Sequence, residues 1–119
     1  MDREEVERRT KKLGIRIIRL CNALPKNNVG WAIANQLVRS GTSVGANYRA
    51  SGRARSDAEF LAKLGIVEEE ADETCYWLEV IVESELIKAA LVQPLLEEAN
   101  EIVAMIVTMR KSVKKRIAR

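Results

Sequence analysis

Histidine is absent from this sequence of 119 residues, and proline, cysteine and aromatic residues are scarce. Without histidine, the chain cannot form a Ser-His-Asp or Cys-His nucleophilic site or a histidine-ligated zinc site, and it lacks the usual general base near neutral pH. Two prolines, six glycines and 4% aromatic residues favour helices over sheets. We therefore expect a helical protein that is not an enzyme and has no catalytic residues.

Long uncharged apolar runs are missing as well. No run approaches the ~18 residues that a spanning helix needs, and residues 1–12 are dense in charge, unlike an export signal. We therefore expect no membrane partner and a cytoplasmic location. In a reducing cytoplasm, Cys21 and Cys75 are expected to be small core residues rather than a disulfide or a redox pair.

Four stretches of helical periodicity account for most of the chain. Apolar residues, 47% of the sequence, recur three or four positions apart in each stretch. Pro25 ends the first stretch, and Asn27 or Asn28 can cap the second. The third opens with a capping box from Ser56 to Glu59. The fourth is predicted to begin at Pro94, after a connection near residues 89–93.

The similar lengths and short connections of these stretches predict an all-α fold. We expect one domain over residues 1–119, an antiparallel up-down-up-down four-helix bundle. The weakest helical segment is residues 39–47, which is rich in glycine and serine. Its apolar phase nevertheless continues from Leu37 through Val44 to Tyr48, which predicts a helix whose small residues allow close packing. A phosphate-binding loop is the rejected alternative, because no Lys-Ser/Thr pair follows the glycines.

Two parts of the chain resemble a known family. The first contains Leu24-Pro25 and residues 36–49, QLVRSGTSVGANYR; the second contains residues 60–64, FLAKL, and residues 69–79, EEADETCYWLE. In the same order, they resemble segments of the bacterial four-helix bundle family related to 23S rRNA intervening-sequence proteins. The resemblance spans residues 24–83, and the terminal helices match only in length and pattern.

The resemblance implies several properties of assembly and binding. It implies a homopentamer, in which five bundles close a ring around a central opening. It also implies kinship with the accessory variability protein of diversity-generating retroelements, a basic pentamer that binds nucleic acid and a reverse transcriptase. Nucleic acid and a protein such as a reverse transcriptase are thus the partners to expect.

A polar network is predicted between the second and third helices. In an antiparallel pair that turns near residue 55, Arg39 lies level with Asp72 and Glu73. We expect an Arg39–Glu73 pair that is buried or half-buried, with Ser43 and Asn47 completing its hydrogen bonds. Such a network is more typical of fixing helix register than of catalysis.

Seven acidic residues cluster on the third predicted helix. They are Glu68, Glu69, Glu70, Asp72, Glu73, Glu79 and Glu83. Helical bundles bind paired metal ions through Glu-x-x-His pairs, which a chain without histidine cannot supply. We interpret the cluster as a solvated acidic face and expect no metal and no other cofactor, with an all-carboxylate magnesium site as the alternative.

Basic residues form two ridges on the first and last predicted helices. The net charge is +3, yet residues 8–56 contain eleven basic and no acidic residues, and residues 102–119 contain six basic and no acidic residues. The candidate nucleic-acid-binding residues are Arg9, Lys12, Arg16 and Arg19 in the first ridge and Lys111, Lys115 and Arg119 in the second. The alternative is two solubilising faces that pair with the acidic third helix, within one chain or across subunits.

Two functions of different classes follow from these patterns. The first is a non-enzymatic oligomer that binds RNA or DNA electrostatically, as an accessory to a reverse transcriptase or a ribosomal RNA element. Because no aromatic residue interleaves the basic ones, we expect no base stacking and little sequence preference. The second is a structural or adaptor oligomer that binds another protein.

Overall fold

Four helices make up the fold of this computed structural model, which describes residues 2–119, and the described residues contain no strand. The helices are α1 (Arg3–Cys21), α2 (Asn28–Ser51), α3 (Asp57–Glu83) and α4 (Ala89–Ala118). Each helix packs against the next, and α4 returns to α1. The predicted antiparallel up-down-up-down four-helix bundle is therefore confirmed. The bundle measures 51 × 21 × 21 Å.

The core is built from the apolar stripes of all four helices. The largest fully buried side chains include Leu13, Ile17, Leu37, Leu64, Leu78, Ile81, Ile102 and Ile106. Each contributes roughly 1.5–3 kcal/mol relative to an exposed position. Charged residues occupy the outer faces, and no helix within residues 2–119 is long and apolar enough to cross a membrane.

Three of the four helices begin at a side-chain cap. Asp2, Asn27 and Ser56 each accept a hydrogen bond from the backbone N–H three residues later. Ser56 confirms the predicted start of α3. A capping box also predicts that the Glu59 side chain accepts a hydrogen bond from the backbone N–H of Ser56. In the structure Glu59 accepts instead from the backbone N–H of Arg55, at 3.2 Å.

The predicted start of α4 at Pro94 is wrong. The helix begins at Ala89, and Pro94 lies inside it. Because proline has no N–H, the helix loses the hydrogen bond to the carbonyl of Ala90. Val92 and Leu95 are buried on either side of the proline and hold this first part of the helix against the core.

The connection between α3 and α4 is residues 84–88, and its geometry ends α3 without a glycine. Glu85 adopts a left-handed conformation with φ of 60°. The N–H of Leu86 donates to the carbonyl of Ile81 at 3.1 Å, and the N–H of Glu85 donates to that of Val82 at 3.1 Å. These two bonds form a Schellman motif, in which glycine usually occupies the position of Glu85.

The glycine- and serine-rich segment is helical, as predicted, and lies where α1 and α2 approach each other closely. A Cβ atom built on Gly45 would lie 3.1 Å from the backbone carbon of Thr10. A Cβ atom on Gly41 would lie 2.3 Å from the Cδ1 atom of Ile17. The two glycines therefore allow this close packing, because a side chain at 45 would meet the backbone of α1 and one at 41 would displace the Ile17 side chain.

Candidate nucleic-acid interface

Arg9, the first residue of the α1 ridge, is held by two carboxylates of α4. Its Nε donates to Glu98 Oε2 at 3.0 Å, one terminal nitrogen donates to Glu98 Oε1 at 2.5 Å, and the same nitrogen donates to Glu101 at 2.9 Å. These hydrogen bonds are the main reason that the pKa of Glu98 lies below its usual value. Arg9 therefore joins α1 to α4, and its side chain is only 19% exposed.

The other three residues of the α1 ridge differ in whether a carboxylate lies near enough to offset their positive charge. Arg16 is half-buried, and its positive charge helps to lower the pKa of Glu98. Lys12 and Arg19 are exposed and form no ion pair within the described chain. Within one chain, the α1 ridge is therefore partly neutralised by carboxylates of α4.

The α4 ridge is more accessible. Lys111, Lys115 and Arg119 are exposed, and none of them forms an ion pair with residues 2–119. Their neighbour Arg116 donates to both carboxylate oxygens of Asp57, at 3.0 and 3.1 Å, and thereby lowers the pKa of that carboxyl. Since Asp57 begins α3, this contact places the α4 ridge beside the turn between α2 and α3.

That turn adds basic residues which the sequence interpretation left out. Arg53 and Arg55 are both exposed and lie between the end of α2 and the start of α3. Arg3 comes to the same end of the bundle, where it donates to the carbonyl of Tyr48 at 2.8 Å and to the hydroxyl of Ser51 at 3.2 Å. Neither turn residue continues a helical ridge, so periodicity gave no signal for them.

The network predicted around Arg39 is present only in part. Arg39 bonds to Glu73 and, at 3.3 Å, to Glu70, but the Arg39 side chain is 48% exposed. Ser43 donates to the carbonyl of Arg39 at 2.6 Å, and Asn47 donates to the carbonyl of Ser43 at 2.9 Å. These two side chains bond to the backbone of their own helix, because a Ser or Asn on a helix reaches the carbonyl one turn earlier more easily than a guanidinium across the interface.

The acidic face of α3 is divided between paired and free carboxylates. Glu70 and Glu73 bind Arg39, and Glu68 accepts from Arg110 at 3.0 Å. The remaining members of the cluster, which are exposed, are Glu69, Asp72, Glu79 and Glu83. Within the described residues, no group of three or more acidic or cysteine side chains is placed to hold a metal ion.

Both cysteines are free thiols. Cys75 is buried in the core, and Cys21 is half-buried at the edge of the core. Burial raises the pKa of both thiols, and that of Cys75 to about 11. Little thiolate therefore forms near neutral pH, as expected for packing residues.

Comparison with known proteins identifies relatives of the same fold. A family model described as "23S rRNA-intervening sequence protein" matches residues 3–108. A crystal structure of a protein of unknown function from the S23 ribosomal protein family of Bacteroides thetaiotaomicron is similar, with a TM-score of 0.83 and 33% identity. That similarity covers 89% of this chain and 98% of the other chain. A search of curated proteins gave no match.

Proposed function

We propose that this chain, which belongs to the family of 23S rRNA-intervening sequence proteins, binds the phosphate backbone of RNA or DNA without catalysing a reaction. The observation that supports the proposal best is a cluster of exposed basic residues at one end of the bundle, here called the basic end. It consists of Arg53, Arg55, Lys111, Lys115 and Arg119.

The basic end suits phosphate groups because its side chains are exposed and form no ion pair with residues 2–119. Lys111 and Lys115 are one turn apart on α4, and Arg53 and Arg55 lie in the adjacent turn. Long basic side chains that replace counterions around the backbone give affinity that falls steeply with salt. None of these residues is held against an aromatic ring or fixed in a groove-reading geometry, so binding would show little sequence preference.

The α1 ridge takes a smaller part in this proposal. Lys12 and Arg19 are exposed and available for phosphate contacts, whereas Arg9 bonds to carboxylates of α4 and Arg16 acts electrostatically on Glu98. An arginine that already bonds two carboxylates would have to exchange them for phosphate, which reduces the gain in free energy. We therefore assign the main contact to the basic end and a secondary contact to Lys12 and Arg19.

Assembly of several copies would strengthen this binding. We propose a homo-oligomer of five subunits, as the family resemblance implies, in an accessory role beside a reverse transcriptase or a ribosomal RNA element. Each copy would add one basic end, so weak contacts would combine through high effective concentration. The side chains of Trp31 and Tyr76 are 56% and 57% exposed. Exposed aromatic side chains of this size support the burial of part of the bundle surface against another chain.

The proposal is tested by fluorescence anisotropy with unrelated RNA and DNA oligonucleotides over a salt series. The variant Lys111→Glu/Lys115→Glu is compared with Lys26→Glu/Lys88→Glu, which makes the same change of net charge at the opposite end of the bundle. We expect the first variant to lose about tenfold in affinity at low salt and to show a shallower salt dependence, and the control to lose less than about threefold.

Two results would contradict nucleic-acid binding at the basic end. The first is an absence of binding by the wild type at low salt, which would favour the structural or adaptor oligomer that binds another protein. The second is an equal loss in both variants, which would show that net charge rather than position governs the affinity. Circular dichroism of both variants confirms that each one is folded.

A further inference from the structure

A groove runs along the outer side of the α1–α2 pair. The close approach of the two helices at Gly14 and Gly45 leaves a depression of about 680 Å³ whose floor consists of small residues. Ile15 and Ile18 line it and are 41% and 47% exposed. An exposed apolar patch with charged residues around it is typical of an interaction site. The groove is therefore a candidate docking surface.

The uncompensated charge of the groove is positive on balance. Lys11, Arg49 and Glu4 line it and form no ion pair with the described residues, which leaves two cations against one carboxylate. Of the other charged lining residues, Arg8 lies 3.8 Å from Glu5, and Glu7 lies 3.9 Å from Arg3. An occupant that combines apolar side chains with carboxylates would match both the isoleucines and the two free cations.

The outer face of α3 has that composition. Ile66 and Tyr76 are 41% and 57% exposed, and they lie on one stripe with four exposed carboxylates. The carboxylates are Glu69, Asp72, Glu79 and Glu83, and none of them forms an ion pair or a side-chain hydrogen bond with residues 2–119. Successive members of the stripe are three or four residues apart, so they form a continuous face on the helix.

This face and the groove lie on different sides of one bundle. α1 packs against α2 and α4, and α3 also packs against α2 and α4, so α1 and α3 are diagonal neighbours. A chain cannot bring its own α3 face to its own groove. Two copies can, and such a head-to-tail contact gives a closed ring or an open filament, depending on the rotation between copies.

We propose that the α1–α2 groove receives the acidic face of α3 from a second copy of this chain. Ile66 and Tyr76 of one copy cover Ile15 and Ile18 of the next, and the carboxylates of α3 face Lys11 and Arg49. The inference rests on the assembly proposed above and assigns the surfaces that build it. The basic end of each copy remains outside this contact.

The test uses one variant for each side of the contact. Ile15→Asp places a carboxylate in the groove, and Tyr76→Asp removes the aromatic residue from the α3 face; both positions are exposed, so the fold should persist. Light scattering at ~50 μM should give several times 13.4 kDa for the wild type and a monomer for each variant. Leu91→Asp, at a more exposed apolar site outside both surfaces, should leave the wild-type mass unchanged.

Mixing the two variants separates a head-to-tail contact from a symmetric one. The Ile15→Asp chain keeps an intact α3 face, and the Tyr76→Asp chain keeps an intact groove. Their mixture should therefore form a dimer of about twice 13.4 kDa that cannot grow further. A contact between two grooves would instead let the Tyr76→Asp chain associate on its own, because that substitution lies outside the groove.

The outcomes that overturn the inference differ from those that overturn assembly. A monomeric wild type would overturn both. An oligomeric wild type whose mass survives Ile15→Asp or Tyr76→Asp, or variants that give no dimer on mixing, would overturn the groove contact and leave assembly standing. Loss of the wild-type mass in Leu91→Asp would also overturn it, because that residue lies outside the two surfaces.

Discussion

The hydroxyl of Thr74 donates a hydrogen bond to the hydroxyl of Ser40 at 3.2 Å, and both side chains are fully buried between α2 and α3. This pair, and not the half-exposed Arg39, is the polar contact inside the α2–α3 interface. A bond between two buried hydroxyls fixes which residues lie opposite each other, because a sliding helix would leave both without that partner. The register role expected for Arg39 therefore fits Ser40 and Thr74 better.

The Ser40–Thr74 bond should be measurable in a double-mutant cycle. Ser40→Ala and Thr74→Val are each expected to lower the free energy of unfolding by about 1 kcal/mol, since each retains most of the buried volume. The double variant should be less destabilised than the sum by about 0.5–1 kcal/mol. Urea unfolding gives the three values, and strict additivity would show that the bond contributes nothing.

The Arg39–Glu73 pair should contribute little to stability. A buried pair would cost about 3 kcal/mol or more on removal of one partner, but these side chains are 48% and 34% exposed. We expect Arg39→Met to cost at most about 1 kcal/mol, and less at high salt, because solvent screens exposed pairs. Urea unfolding at two salt concentrations measures this, and a salt-independent loss of several kcal/mol would contradict it.

Gly45 should not tolerate alanine although it lies inside a helix. Alanine gains up to about 1 kcal/mol of helix propensity, but its Cβ would lie 3.1–3.2 Å from backbone atoms of Thr10 and Lys11. We expect a net loss of about 1–2 kcal/mol in Gly45→Ala. Gly65→Ala is the control, because its nearest neighbour is 3.6 Å away at the end of the Arg110 side chain, and it should stabilise the protein.

The contact of Glu98 with Arg9 should make stability depend on pH in the acid range. The folded state lowers the pKa of Glu98, so the carboxylate contributes stability above its usual pKa of about 4.5, and this contribution is lost as the pH falls through the lowered value. Glu98→Gln should therefore destabilise the protein at pH 7 and have little effect near pH 2. Thermal unfolding over this range tests it, with exposed Glu97→Gln as the control.

Glu85 should be a site where glycine stabilises the protein. A residue with a side chain pays about 1 kcal/mol for a left-handed conformation, and Glu85 has φ of 60°. Glu85→Gly should raise the free energy of unfolding by about 0.5–1 kcal/mol. Ser84→Gly, at φ of −87°, should lower it. Chemical denaturation compares the two, and a loss of stability in Glu85→Gly would contradict the strain argument.

Periodicity predicted the helices because it shows which face of each helix is apolar, and that pattern is contained in the local sequence. The apolar spacing from Leu37 to Tyr48 correctly predicted that α2 continues through two glycines, since packing outweighs intrinsic helix propensity. The start of α4 was predicted wrongly for a local reason. Glu85 ends α3 in a conformation that usually requires glycine, and proline commonly occupies the first position of a helix, as Pro94 was expected to do.

The candidate site was less predictable because it depends on how distant helices meet. The spacing of Arg9 and Lys12 showed that they share a face of α1, but not that Glu98 of α4 lies across from Arg9. Arg55 and Lys115 come to one end because the α2–α3 turn and the last residues of α4 share an end of the bundle, but periodicity does not mark Arg55, which lies outside the helices. Register between helices far apart in sequence is a tertiary property.

The proline within α4 weakens the backbone bonding of the first turns of that helix. The amides of its first turn have no acceptor within the helix, and Pro94 has no amide to give to Ala90. This end of α4 therefore relies more on side-chain burial, chiefly that of Val92, than the middle of the helix does. We expect backbone amides at the end of the bundle opposite the basic end to exchange their hydrogens faster than those in the middle of α4.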